Sequence, residues 1–275
     1  ENGTSDMTNS RTFNWVTQNN LEYDLTLGDN EHFINVLLSQ RFQKNKSLSN
    51  YSYGENVPAM GLIYPSSFQT NQSAAGSFSD WKSLSYLALV NYSYKDKYIL
   101  DLSYRNDGSS RFAADYRFGN FYSVGAAWNI TSEDFLADSE VVNNLKLRVS
   151  YGESGNNSVG LFSYKSLFSY GGSYNDNGTV TPSGFANPII SWETSKLTDI
   201  GVDFSLFGNR VSGLVNYYIK DTADLLQSVP LSLTTGHSSY TQNVGEVRNQ
   251  GIEIELDATV VNAGDFSWSI YGNYA

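Results

Sequence analysis

Gln250-Gly251-Ile252-Glu253-Ile254-Glu255-Leu256-Asp257-Ala258-Thr259-Val260 alternates apolar and polar residues without a break. Side chains on a strand alternate faces, so Ile252, Ile254, Leu256, Ala258 and Val260 point one way while Glu253, Glu255, Asp257 and Thr259 point the other. One face suits an apolar surround and the other suits water. Ile200, Val202, Phe204 and Leu206 likewise oppose Asp199, Gly201, Asp203 and Ser205, and Tyr98, Leu100, Leu102 and Tyr104 oppose Asp101, Ser103 and Arg105. Leu145, Leu147, Val149 and Tyr151 oppose Lys146, Arg148 and Ser150, and the pattern recurs at 21–27, 84–94, 122–128, 211–220 and 266–274. This gives about ten strands, most near the roughly 9–11 residues that cross a bilayer at a tilt.

The connections come in two kinds. Tight turns rich in Gly, Asn and Asp fall at 28–31, 95–97, 207–210 and 262–265. Long connections rich in Gly, Ser, Asn and Tyr fall between them at 45–80, 106–117, 153–191 and 221–247, with one of medium length at 130–143. Outer-membrane barrels alternate short periplasmic turns and long outer loops in this way. Tyr92, Tyr94 and Tyr98 flank one tight turn, Trp128 precedes the medium connection, Phe204 and Phe207 precede Gly208-Asn209, and Phe266 and Trp268 follow Gly264-Asp265. Tyr and Trp favour the membrane–water interface, so these residues predict a girdle at the short-turn end. The expected fold is all-β, an antiparallel transmembrane β-barrel wall.

Composition agrees and excludes several functions. No stretch of 18 apolar residues exists, so no helical span is expected, whereas a barrel leaves mean hydropathy near neutral. A net charge of −11, with 17 Lys and Arg against 28 Asp and Glu, argues against a nucleic-acid partner. The absence of Cys removes disulfides, thiolate catalysis and Cys-ligated metals together. The opening Glu1-Asn2-Gly3 carries no export signal, which is expected to have been removed or to lie upstream. The strand ending at Tyr274-Ala275 has crossed once from its turn, so the ten strands are expected to be part of a larger barrel: open sheet edges are untenable in lipid.

An ordered series of motifs adds a resemblance. YKDKYILDLSYRNDGSSRF at 94–112 is followed by the run FGNFYSVGAAWNI, SEDFL at 132–136 and LKLRVSYGESGNN at 145–157. DIGVDFSLFGNR at 199–210, YYIKDTADLL at 217–226 and NVGEVRNQGIEIEL at 243–256 complete it. The series resembles the C-terminal half of the barrel of SusC/RagA-type TonB-linked outer-membrane proteins, over about 84–275 and more weakly over 11–46. That resemblance implies a barrel of about 22 strands, preceded by an N-terminal extension, a TonB box and a plug domain. None of those N-terminal motifs lies in residues 1–275. It further implies active import of nutrients across the outer membrane, with TonB acting through the N-terminal region and a SusD-type surface lipoprotein as lid. Oligosaccharide is the favoured substrate and oligopeptide the other.

No catalytic, cofactor-binding or metal-ligating residue stands out, and the ligand-binding residues are unassigned. The run Arg105-Asn106-Asp107-Gly108 through Arg111 is the most charged at a strand top; it suits a ligand or the lid, while a turn with its arginines on strand carboxylates is the expectation. Asn175-Asp176-Asn177-Gly178 lacks the alternating acids of a calcium loop and reads as a loop tip. Glu253, Glu255 and Asp257 suit a cation or sugar path or simply a solvated wall, and the Tyr-rich stretches 50–64 and 164–174 suit sugar stacking or loop ordering. The Asn91 and Asn177 sequons follow from an Asn-rich composition. His32 opens a strand and His237 sits in a long loop, so an enzymatic pair is not expected. Two other readings stay open: a complete ten-stranded barrel enzyme and a soluble glycan-binding β-sandwich or solenoid.

Overall fold

The computed structural model describes residues 3–56, 61–68 and 70–275. Ten strands form one antiparallel sheet: β1 Thr4–Leu27, β2 His32–Glu55, β3 Thr70–Tyr94, β4 Tyr98–Ser109, β5 Phe118–Asn129, β6 Val142–Asn156, β9 Glu193–Leu206, β10 Val211–Ala223, β13 Glu246–Ala263 and β14 Phe266–Tyr274. Two further hairpins, β7 Leu167–Tyr174 with β8 Asn177–Gly184 and β11 Leu226–Pro230 with β12 Ser239–Asn243, lie within the long connections. Sheet order follows chain order once these hairpins are set aside. This is the up-and-down meander of a barrel wall. Among the described residues β1 pairs only with β2 and β14 only with β13, so the ten strands do not close on one another. A complete ten-stranded barrel is thereby corrected. A sandwich is too, because among the described residues no second sheet of comparable size is present.

Tight turns sit at one end because their residues accept φ > 0. Lys95 and Asp96 have φ of 52° and 54°, and Lys97 N–H donates to the Tyr94 carbonyl at 2.9 Å. Phe207, Gly208 and Asn209 are also left-handed, and the last turn is narrower than expected, with Gly264-Asp265 between β13 and β14. These turns match the right-handed twist of the strands, which fixes the register.

The register carries each alternation across the sheet. Leu147 pairs with Trp128 and Val202, Val202 with Val215, and Val215 with Ile254, so one apolar face runs from β5 to β13. Leu21, Leu38, Ala88 and Tyr104 continue it from β1 to β4. Leu21, Tyr23, Leu102, Ile200 and Ile252 are exposed there. An apolar face of this extent needs a non-aqueous surround, which the bilayer provides.

The expected connection at 45–80 is largely strand. β2 and β3 run to Glu55 and from Thr70, and β1 is equally long; only residues 57–60 and 69 of this stretch lie outside the described residues. At 24, 24 and 25 residues these strands extend well beyond a bilayer. Their upper halves pair polar with polar, as in Ser10 with Ser49 and Thr12 with Ser47, both hydroxyl pairs at 3.1 Å. With water on both faces, alternation of hydrophobicity is lost while hydrogen-bonded pairing is kept.

Lipid and lumen faces should respond unequally to charge. Ala126→Lys, mid-wall on the apolar face, is expected to destabilise the full-length protein by about 2–4 kcal/mol, and Ser150→Lys on the opposite face by roughly zero to 1. Urea unfolding from lipid bilayers measures both.

Candidate functional site

On the face opposite the lipid, pairing sets Arg41 beside Ser85, Gln43 beside Ser83, and Ser85 beside Asp107. These side chains, with Arg105 on β4 and Asn157 and Trp192 from the connection above β6 and β9, line a polar pocket of about 220 Å³. Arg105 Nε lies 2.7 and 2.9 Å from the two carboxylate oxygens of Asp107. The half-exposed guanidinium makes this pair weak energetically, so it orients both groups more than it stabilises the wall. Among the described residues Arg41 makes no ion pair. A Cβ on Gly108 would lie 2.5 Å from the Phe118 ring, so a larger residue there would displace that half-exposed ring.

The pocket has a rigid roof. Phe112, Ile190 and Val159, from two different connections, form a small buried core flanked by Trp192, Tyr164 and Leu226. The Trp192 ring lies 5.3 Å from Phe112 and 5.6 Å from Phe121, and its Nε1–H donates to the Arg117 carbonyl at 3.1 Å. Phe121 packs against Gly119 and Gly155, where a Cβ would meet its ring. Backbone groups are tied across loops as well. The Asn243 side chain exchanges hydrogen bonds of 2.8 and 2.9 Å with the Ser191 backbone, and Asn187 donates to the Thr241 carbonyl at 2.8 Å. Glu193 accepts from Asn156 and from the Leu226 N–H, each at 3.1 Å. The long connections therefore form one cross-linked cap.

Lower on the same face, Arg148 forks onto Asp203 with bonds of 2.8 and 2.9 Å and reaches Asn216 at 3.1 Å. A Cβ on Gly201 would collide with Asn216 and Arg148, so glycine clears the way for this bidentate pair. Glu253, Glu255 and Asp257 are exposed on this face too, as the alternation predicts.

At the short-turn end the girdle is a stacked ladder on the lipid face. His32 accompanies Tyr94 at 4.7 Å, Tyr94 stacks on Tyr98 at 6.3 Å, and Tyr98 stacks on Trp128 at 6.3 Å. Glu133, in the 130–141 connection, accepts from Tyr98 Oη at 2.6 Å, Trp128 Nε1 at 3.1 Å and Lys97 Nζ at 3.3 Å. These donors, Tyr98 first, hold its carboxyl below the ordinary 4.5, overcoming partial burial. A second girdle, missed in the sequence, lies higher: Tyr104 pairs with Tyr122, which sits 6.0 Å from Tyr151.

The sequence candidates separate accordingly. Arg105 lies in β4 as the alternation has it, and Asn106 to Gly108 also belong to β4 and not to a turn, with Gly108 leaving room for the Phe118 ring. Arg111 also departs from expectation. It donates to the Val159 carbonyl at 2.6 Å and lies 5.8 Å over Trp81, with no carboxylate partner among the described residues. Asn175 and Asp176, with φ of 51° and 61°, are the turn of the β7–β8 hairpin. Tyr170 and Tyr174 are exposed on that hairpin, whereas Tyr164 packs on the roof core. His32 accompanies Tyr92 and Tyr94 at the short-turn end, while His237 packs 4.6 Å from Phe185 in the outer connections, so they do not meet. Arg41, Asn157 and Trp192 were not singled out beforehand. Arg41 alone carries a signal, as a charge at a lumen-facing position in the lower half of β2, where the other lumen-facing residues are neutral.

An apolar outer face between two aromatic girdles, a polar lumen face and a capped strand-top pocket define a segment of an outer-membrane transporter barrel. The chain belongs to the TonB dependent receptor-like β-barrel family, whose profile matches residues 1–275. TonB-dependent receptor P26 of Formosa agariphila is 35% identical over 275 residues, covering 98% of this chain and 28% of that protein. TonB-dependent receptor SusC of Bacteroides thetaiotaomicron is 34% identical over 199 residues, 69% of this chain and 20% of that protein. The RagAB peptide transporter structure matches with a TM-score of 0.92 at 26% identity, over 99% of this chain and 30% of that one. The SusC/RagA resemblance and the outer-membrane location thus hold, and the chain spans less than a third of these proteins.

Glu133 gives the short-turn end a pH dependence. Because its folded pKa is lowered, its stabilisation is fully present above the ordinary value and is lost as pH falls through the folded one. Thermal unfolding of the full-length protein between pH 7 and 3 should show this loss in the wild type and not in Glu133→Gln.

Proposed function

We propose that this wall belongs to an importer that carries oligosaccharides across the outer membrane, driven by TonB and lidded by a SusD-type surface lipoprotein. Its role is passage, with no covalent chemistry assigned to these residues. The observation that carries the reading is the capped lumen pocket. Asp107, Asn157, Arg41 and Arg105 are planar polar groups suited to the paired hydroxyls of sugars, and Trp192 supplies an apolar wall of the kind sugar rings pack against. The exposed Tyr170 and Tyr174 on the β7–β8 hairpin add aromatic surface above it.

Oligopeptide is a second reading, favoured by one feature. The Arg41 guanidinium makes no ion pair among the described residues and suits a peptide carboxylate, and RagAB, a relative in structure, is a peptide transporter.

Binding to the full-length transporter, titrated with neutral oligosaccharides and with peptides, separates the two. For an oligosaccharide importer, Asn157→Ala and Arg105→Gln each weaken sugar binding by about 3- to 20-fold. Binding of peptides alone, reduced about tenfold or more by Arg41→Gln, would replace sugar with peptide.

A further inference from the structure

Above the apolar band, the outer face of β1, β2 and β3 carries an unpartnered basic and aromatic patch. Trp15 pairs with Lys44 and Lys44 with Lys82; Phe13 pairs with Lys46 and Lys46 with Asp80; Arg11 lies beside Leu48 one pair higher. Pairing is continuous from the membrane-facing Leu38 and Ala88 to these residues, so all of them share the lipid-side face. Lys44 directly opposes Lys82, a like-charge pair that costs stability. Arg11, Lys44, Lys46 and Lys82 make no ion pair among the described residues, in a chain with 28 acids to 17 bases. Among the described residues Asp80 is the one carboxylate set directly across from any of them, and Lys46 Nζ lies 5.4 Å over the Phe78 ring.

Height and shape narrow the occupant. The ten steps from His32 to Phe42 rise about 33 Å along the strand, or about 25 Å at a usual tilt, which is the height of the apolar band. The lysines therefore emerge at the headgroup level of the outer leaflet. Trp15, half exposed, packs 5.6 Å from Phe42 just beneath them. Lower still is an apolar groove of about 410 Å³ on the lipid side, opened where Ala88 sits between Leu38 and Tyr104 and bounded by Leu21 and Tyr86. Four cations against one carboxylate, set over an apolar groove, match a molecule with an anionic head and an acyl tail. A second copy of this face would set lysine against lysine.

We propose that this face binds a phosphorylated glycolipid of the outer leaflet, its phosphate held by Lys44, Lys82, Lys46 and Arg11 and an acyl chain laid in the groove over Ala88. Such a lipid would anchor the long extramembrane extension of β1–β3 against the membrane surface.

The test uses the full-length transporter in phospholipid nanodiscs doped with lipid A or with enzymatically dephosphorylated lipid A, followed by native mass spectrometry. Each near-surface lysine contributes about fivefold to affinity for an anionic lipid. Lipid A is thus expected to be retained over its dephosphorylated form, and Lys44→Gln/Lys46→Gln/Lys82→Gln should reduce retention by about a hundredfold. The corresponding Lys→Arg variant should keep most of it, and added salt should weaken it. Ala88→Leu, which fills the groove, should lower retention of both lipids. Equal retention of the two lipids, equal retention by wild type and the triple Gln variant, or protection of these lysines from amine labelling by a protein partner would overturn the proposal.

Discussion

Every backbone N–H and C=O within the bilayer must be paired by protein, because hydrocarbon offers no partner. That constraint organises the whole chain. It demands strands rather than irregular segments across the membrane, and it allows irregular backbone only above or below. The short turns satisfy it with left-handed residues such as Lys95 and Asp96, which reverse the chain within a few residues at the lower interface. Two edges, β1 and β14, keep backbone groups unpaired among the described residues. In lipid, such edges call for neighbouring strands, consistent with relatives more than three times the length of this chain.

Once the ladder is fixed, parity does the rest. A one-residue slip would turn Arg148, Asp203 and Glu255 into lipid and Leu147, Val202 and Ile254 into the lumen, so register is held by burial preferences on every strand. The same parity sends Arg41, Arg105 and Asp107 inward to the candidate pocket and Lys44, Lys46 and Lys82 outward to the headgroup level. Function on the two faces is thus assigned by odd and even position along neighbouring strands, not by proximity in sequence.

How much of this could be read from the sequence depended on which environment each residue meets. Where one face meets lipid and the other water, as at Ile252 to Val260, alternation declared the strand and its facing. Where both faces meet water, as in the upper halves of β1–β3, Ser, Thr, Asn and Tyr alternate with one another, and strand looked like loop. The hairpins β7–β8 and β11–β12 were hidden for the same reason. Asp107-Gly108 carries a turn signal yet lies in β4; what the local pattern lacks is the Phe118 ring, which packs where a Cβ at position 108 would sit. Trp192 and Asn157 come from a connection whose course is set by contacts with Phe112 and Phe121, distant in sequence, and no local pattern encodes that.

The distribution of buried side chains separates two kinds of stability. Phe112, Phe121, Val159 and Ile190, among the few fully enclosed apolar residues, lie at the strand tops, while the wall below has no interior of its own. The wall depends on the bilayer and on its ladder; the cap depends on a small conventional core and on Asn and Glu bridges between connections. A cap with its own core can tolerate changes on its exposed hairpins without disturbing the ladder, since residues such as Tyr170 and Tyr174 contribute nothing to that core. Conversely, Trp192 belongs to both core and pocket, so the pocket's shape is tied to the integrity of the cap. Ligand selectivity in this segment is therefore divided between replaceable outer surface and a lumen wall whose geometry the cap holds in place.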